Sequence, residues 1–280
     1  MKYFEVEQHG HVQVWTISNP PMNYMIGAMA AELLELVGKA EADSETRAIV
    51  ITGGVAGKFI THYSVDELAV AAADPVQGPH KFARMEEGFH RLLNRLMLLP
   101  KAVIAAINGD CMGGGYELAL ACDLRVAADG AFQIGLPESM LGILPGGGGT
   151  QRLPRLIGRG RALEAMLFGA VYSPREAERI GLVNRVLSPE SLMPFAMSWA
   201  RTLAKRSPRA VAAIKRAVYL GADRDLEAGL YIERCEMRDL MSTEDARTAM
   251  GAYNAEVAKN PMAARTNFLN GIGVPETKGK

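Results

Sequence analysis

Cysteine is scarce in this 280-residue chain: Cys111, Cys122 and Cys235 are the three, with no CxxC pair among them. That excludes a disulfide framework or a zinc ribbon and leaves the thiols as small buried hydrophobes suited to a reducing compartment. Net charge is missing too. Thirty-one basic and 31 acidic residues cancel, so no overall field draws in nucleic acid or an anionic membrane, and a charged ligand must be met by local groups. No apolar run reaches the roughly 18 residues of a membrane span, and the opening "MKYFEVEQHGHVQVW" has no charged segment leading into an apolar one. Fixed-period repeats and low-complexity linkers are also absent. The expectation is a cytoplasmic protein with no nucleic acid, membrane or metal among its partners.

What is present is a large apolar content, 49% of residues, arranged in two patterns. Runs rich in β-branched residues at His11–Ile17, Arg47–Gly53, Ala102–Gly109 and Asp123–Ala128 read as strands. Between them, Ala28–Ala40 has helical spacing, Lys81–Pro100 reads as a long amphipathic helix stopped by its proline, and "GGGYELALAC" opens a third helix. Strand–helix alternation predicts an α/β core with largely parallel pairing. After about residue 190 the pattern is helical throughout. We therefore expect a core over 1–195 and a helical module over 196–280. The 15 methionines read as core filler, and the basic stretch "KRSPRAVAAIKRA" as a solvated helix face.

Glycine clusters invite a nucleotide reading that the residues do not support. "GGGYEL" lacks the third glycine of GxGxxG, and "LPGGGGTQRL" has no Lys-Ser/Thr after its glycines. What remains at Gly113–Gly115 is a helix start whose free N–H groups face a gap left by absent side chains, a place that stabilises an oxyanion. Glu117 stands in its first turn. A second carboxylate, Glu138, follows twenty-one residues later beside another glycine-rich loop. Two carboxylates in one cleft allow one to act as base and the other as acid; spacing alone does not overturn the plainer reading in which Glu117 caps the helix and Glu138 lies in solvent.

The stretch from Lys101 to Leu187, "KAVIAAINGDCMGGGYELALACDLRVAADGAFQIGLPESMLGILPGGGGTQRLPRLIGRGRALEAMLFGAVYSPREAERIGLVNRVL", resembles the signature region of the crotonase superfamily, the enoyl-CoA hydratase/isomerase family. "NPPMNYM" (Asn19–Met25) resembles that family's first-strand exit, and "GKFITHYSVDEL" (Gly57–Leu68) aligns without gaps to its oxyanion loop, so the likeness covers about two thirds of the chain. It implies a spiral of ββα units followed by C-terminal helices that form trimers, often paired into hexamers. The implied substrate is an acyl-CoA thioester, with coenzyme A belonging to the substrate and no separate cofactor. By resemblance, the backbone amides of Gly114 and Tyr63 form the oxyanion hole and Glu117 and Glu138 are the two catalytic carboxylates. Gly113, Pro137, Gly146 and His62 fall at the substrate. Having both carboxylates favours hydration of a trans-2-enoyl-CoA to a 3-hydroxyacyl-CoA, the roles of acid and base being left open between them.

The chain also departs from the family pattern. Where FxAGAD is common, Thr61, His62, Tyr63 and Ser64 replace Ala, Gly, Ala and Asp, placing a titratable ring near the expected acyl pocket. The C-terminal stretch lacks the usual Glu-Gly, although Lys259 falls near the basic residue that holds the nucleotide end of coenzyme A. These departures keep two alternatives in view: another reaction of the superfamily, such as double-bond isomerisation or carbon–carbon hydrolysis of a β-diketone, and a non-catalytic acyl-CoA binding protein.

Overall fold

The structure, a computed structural model, describes residues 1–262, 266–267, 275 and 277–279. Two compact units divide the chain, Met1–Arg201 and Thr202–Lys280.

The strands of the first unit are, in chain order, β1 (Phe4–His9), β2 (Val12–Ile17), β3 (Ala48–Gly53), β4 (Lys58–Ile60), β5 (Ala102–Ile107), β6 (Asp110–Met112), β7 (Leu124–Ala128), β8 (Ile134–Gly135), β9 (Val171–Tyr172) and β10 (Arg185–Leu187). They form two sheets, one ordered β1-β2-β3-β5-β7-β10 and the other β4-β6-β8-β9. The larger sheet is parallel from β2 to β10, with β1 added antiparallel. In the smaller sheet β4, β6 and β8 run parallel and β9 antiparallel. Each turn of chain thus lays one strand in the large sheet and the next in the small sheet before a helix or loop carries it back: β3 then β4, β5 then β6, β7 then β8. This is the expected spiral of ββα units.

The helices of this unit are α1 (Gly27–Ala42), α2 (Val65–Ala72), α3 (Gly78–Leu98), α4 (Gly114–Ala121), α5 (Gly149–Ile157), α6 (Arg159–Leu167) and α7 (Pro174–Ile180), and α8 (Pro189–Ala204) crosses the division between the units. A 3₁₀ turn spans Glu138–Leu141. β3 and β5 are buried at every residue, which is why they read as unbroken apolar runs: a parallel strand in mid-sheet is covered on both faces. The strands of the small sheet, two or three residues long, were not visible in the sequence, being too short to show any period.

The step from large to small sheet depends on a tight turn. A Cβ on Gly53 would overlap the Lys58 carbonyl, and one on Gly109 would overlap the Gly57 peptide. Asn108 ties these exits together, donating through Nδ2 to the Gly53 carbonyl (2.7 Å) while its Oδ1 accepts from the Gly53 N–H (3.1 Å). The far end of α4 is held by Arg125, which is 6% exposed. Its guanidinium donates to the carbonyls of Ala119 (3.1 Å), Cys122 (2.8 Å) and Leu182 (3.2 Å), tying the end of α4 to the chain that follows α7. Tyr116 adds a buried bond from its hydroxyl to the same Leu182 carbonyl at 3.0 Å.

The second unit carries α9 (Pro208–Gly221), α10 (Leu226–Met241) and α11 (Glu244–Lys259). Asp225 and Thr243 cap α10 and α11, and Arg216 forks onto Glu236 with bonds of 2.7 and 2.6 Å. The first two helices approach closely at Gly229, where a Cβ would lie 3.2 Å from the Gly221 carbonyl oxygen. α10 has no buried residue, and Leu226, Leu230, Tyr231 and Met237 on it are exposed. Lys259 is an exposed residue in the last turn of α11. Among the described residues no helix is long and apolar enough to cross a membrane.

Arg125→Met keeps an apolar stem but removes the guanidinium, leaving the Cys122 carbonyl without that donor and the Ala119 and Leu182 carbonyls with one donor each. We expect a loss of about 2–4 kcal/mol, since each charge-assisted bond contributes about 1.5–3 kcal/mol and an unmade buried one costs comparably. A lower urea midpoint measures it.

Candidate active site

The site is assembled where the start of α4 presses against the chain leaving β4. Gly113 is the N-cap, with φ +50°, a conformation glycine adopts without strain. Its N–H is spent on the Gly135 carbonyl (3.0 Å) and its carbonyl on the Glu117 N–H (2.9 Å). Gly114, the first residue of α4, has an N–H with no acceptor among the described residues, as the opening turn of a helix requires. A Cβ there would come within 2.9 Å of the Tyr63 Cβ, and one on Gly115 would overlap the Ile60 carbonyl. The three consecutive glycines are therefore the contact surface between helix and strand exit.

Tyr63 is placed by the loop at residues 19–25. Asn23, fully buried with φ +54°, donates to the carbonyls of Ile17 and Phe59, and its own carbonyl accepts from the Thr61 N–H at 3.3 Å. Met25 then pairs with Tyr63 as a parallel bridge, its N–H on the His62 carbonyl (2.9 Å) and its carbonyl on the Ser64 N–H (2.7 Å). Extended chain alternates its hydrogen-bonding direction, so the Tyr63 N–H faces away from Met25, toward Gly114. It too has no acceptor among the described residues. The unusual side chains of "THYS" each find local use: Thr61 donates to the Met22 carbonyl, Ser64 caps α2, and His62 stacks on Tyr24 with centroids 4.4 Å apart. His62 Nδ1–H donates to the Tyr63 carbonyl at 2.7 Å.

Tyr63, Gly114, Glu117, Glu138 and Gly146 line one cavity of about 690 Å³. Its other walls are mostly apolar and come from α2, the loop after it, α3 and the Gly142–Gly147 loop. His62, Gly113 and Pro137 are not in the wall. Gly113 backs onto Glu138, whose Oε1 would lie 3.0 Å from a Cβ placed there, and Pro137 opens the 3₁₀ turn that starts at Glu138. The Tyr63 ring meets Phe89 edge-on (5.7 Å) and its hydroxyl donates to Glu67 at 3.0 Å; burial and that carboxylate push its pKa up.

Both carboxylates are perturbed. Glu117, 3% exposed, accepts at Oε1 from the N–H of Gly149, the first residue of α5 (2.7 Å). Burial pushes it up to about 7, against the pull of the Gly149 and Gly147 amides and of Arg152. Glu138 is likewise raised to about 7, by burial and then by the charge of Glu117, and its Oε2 is buried with no hydrogen-bond partner among the described residues. The charge of Glu117 thus favours the protonated form of Glu138 beside it. Among the described residues no three His, Cys, Asp or Glu side chains gather as metal ligands.

The sequence points to Ala69–Gly88, where the likeness to the family is poor, as the stretch that sets pocket size, and the cavity is indeed lined from it, although no single residue there stands out in advance. Phe82, Met85, Glu86 and Phe89 lie along one of its walls at i, i+3, i+4 and i+7, one helix face. His90, one turn on from Glu86, donates through Nε2 to the Gly146 carbonyl at 2.6 Å and so holds the opposite loop. A glutamate interrupting an apolar stripe was the signal available for Glu86.

The spiral is the crotonase fold. The solved structure of an enoyl-CoA hydratase from Bacillus anthracis superposes with a TM-score of 0.85 at 31% identity, covering 99% of this chain and 100% of that one. The model of the enoyl-CoA hydratase/isomerase family matches residues 7–261, and the chain belongs to that family. Among curated relatives it is 37% identical to the short-chain-enoyl-CoA hydratase of Clostridium acetobutylicum over 249 residues, 89% of this chain and 93% of the relative. It is 36% identical to the mitochondrial methylglutaconyl-CoA hydratase of Mus musculus, over 82% and 74% of the two chains.

The raised carboxyl has a consequence for stability. The fold binds the Glu117 proton more tightly than the unfolded chain does, so this contribution is full below about pH 4.5 and is lost as pH rises through 7. Glu117→Gln removes this contribution. At pH 8 the variant should be more stable than the parent by on the order of 2 kcal/mol, with the gap closing toward pH 4.5; urea unfolding at the two pH values checks it.

Proposed function

We propose that the protein hydrates trans-2-enoyl-CoA thioesters to 3-hydroxyacyl-CoA. The observation that carries the reading is the meeting of two uncommitted backbone N–H groups, at Tyr63 and Gly114, with two buried carboxylates of raised pKa in one largely apolar cavity. The thioester oxygen accepts from both amides, which stabilise the enolate as charge develops on it. One such donor contributes about 2.7–4 kcal/mol to the barrier.

Hydration adds hydroxide to the β-carbon and a proton to the α-carbon. One carboxylate takes a proton from the attacking water, and the other, protonated at the start, delivers its proton to the enolate. The pair ends with the single proton it began with, and two groups tuned to about 7 suit that exchange near neutral pH. The unsatisfied Glu138 Oε2 is a fitting place for a proton acceptor or donor that meets its partner in the substrate. No cofactor enters the balance; coenzyme A is part of the substrate. The relatives named as enoyl-CoA hydratases support the same reading.

Loss of absorbance of the conjugated thioester on mixing with crotonyl-CoA or trans-hex-2-enoyl-CoA tests it. Glu117→Gln and Glu138→Gln should each slow turnover at least 10²-fold, the usual contribution of a general acid or base being about 10²–10⁴-fold. Gly114→Val should abolish turnover, because a branched side chain would drive into Tyr63. Near-parental rates in either glutamine variant overturn the two-carboxylate mechanism. Conversion of a 3-enoyl-CoA without hydration of the 2-enoyl-CoA assigns isomerisation instead.

We also propose assembly as a homotrimer or a dimer of trimers. The exposed Leu226, Leu230, Tyr231 and Met237 along α10 form the kind of apolar face that another surface covers. Light scattering at micromolar concentration should give three or six chains, and a monomer overturns this.

A further inference from the structure

The acyl cavity carries more negative charge than hydration needs. Besides Glu117 and Glu138, two carboxylates face it: Glu86 on α3, and Asp74 in the loop between α2 and α3. No Lys, Arg or His is among the described residues that line it. The two extra acids are not equivalent. Asp74 Oδ1 already accepts from the N–H groups of Val76 (3.0 Å) and Gln77 (2.9 Å), closing the turn into α3. Glu86 is half-buried between Phe82, Met85 and Phe89, and no donor is bonded to it among the described residues.

Glu86 is placed by the same loop that meets the catalytic pair. A Cβ on Gly146 would lie 3.7 Å from Glu86 Oε1, and a Cβ on the next residue, Gly147, would run into Glu117 Oε2. The two carboxylates thus look at consecutive residues of one loop, with Glu86 one step further along the cavity. The cations nearby are turned to the backbone of that loop. Arg152 donates to the Gly147 carbonyl (2.9 Å) and to Asn94 (2.7 Å), and His90 donates to the Gly146 carbonyl (2.6 Å). Neither is part of the wall an acyl chain would touch.

Resting on the hydratase reading, we propose that Glu86 determines acyl specificity: it makes the cavity a site for uncharged enoyl chains and excludes chains that end in a carboxylate. An acyl carboxylate carried past Glu117 would be brought beside Glu86 and Asp74, in a half-buried apolar cleft with no cation to compensate it. A second negative charge beside an uncompensated carboxylate is disfavoured, the more so as water is excluded. An uncharged chain meets only the apolar side of the same walls. This is exclusion by an element that repels the wrong ligand, a common way of separating substrates that share a reacting group.

The test compares two length-matched substrates, trans-hex-2-enoyl-CoA and trans-hex-2-enedioyl-CoA, whose thioester and double bond are the same. The parent protein should favour the neutral chain by at least 100-fold in kcat/KM. Glu86→Gln keeps shape and removes the charge, and should narrow that ratio at least tenfold, mainly through KM of the dicarboxylyl substrate. Raising salt from 50 to 500 mM should narrow the parent's ratio and leave that of the variant nearly flat, a response that a purely structural role for Glu86 would not produce. Equal use of both substrates by the parent, or an unchanged ratio in the variant, overturns the proposal. Isothermal titration with the saturated hexanoyl-CoA and adipoyl-CoA reads the same discrimination without turnover. A protein that binds hexanoyl-CoA preferentially, loses the preference in Glu86→Gln and hydrates nothing would uphold this inference while overturning the hydratase reading. A protein that hydrates the neutral substrate with no such preference would do the reverse.

Discussion

The close approach of α4 to the strand exit at Ile60–Tyr63 is the constraint on which the rest of the site depends. A helix start can offer free N–H groups only if nothing else reaches them first, and at Gly113–Gly115 the absence of side chains lets the strand come near without covering the Gly114 amide. The same approach brings the Tyr63 amide alongside. Asn108 at the strand exits, Asn23 in the loop beneath and Arg125 at the far end of α4 all hold this one contact in place. Preorganisation of this kind is what makes backbone donors effective, because they need not reorient as charge appears.

The electrostatics of the two carboxylates follow from the same packing. Glu117 is in the first turn of α4, and the turn that positions Gly114 also drives its carboxyl inward against the start of α5, where the Gly149 N–H meets it. Burial raises it; the helix starts partly offset that rise. Glu138 comes from the small sheet by way of β8 and backs onto Gly113, close enough for the charge of Glu117 to raise its pKa. Neither carboxylate would be tuned on an isolated helix or loop, where water would hold both near their ordinary values.

The substrate discrimination proposed above rests on a different part of the chain. On the proposed reading the two free amides and the carboxylate pair meet what every enoyl thioester shares, whereas α2, α3 and the loop between them form the rest of the cavity wall, where the acyl chain would lie. Chemistry and selection are therefore separable. Changes along the α3 stripe can alter which acyl groups enter without moving the reacting groups, which fits the range of acyl names among relatives of one fold.

Much of this was legible in the residues alone. Four of the five strands of five or more residues and the helices α1, α3 and α4 appear within a few residues of their ends, because each is long enough to show its period and each is stopped by a proline, a glycine or a turn; β1 does not, being an edge strand exposed at all but its first residue. The glycine run and both carboxylates could be singled out by residue type and by likeness to a family. The small sheet could not, since strands of two or three residues carry no pattern. Nor could the fate of His62, whose ring stacks on Tyr24 instead of lining the cavity, or the part played by Glu86, which a sequence shows as one acidic residue on an amphipathic helix. The sequence by itself determined local periods, breaks and residue chemistry. Tertiary structure decided which amides were left unpaired, which carboxyls were dehydrated and which charge faced the cavity, because each of those depends on neighbours that are distant along the chain.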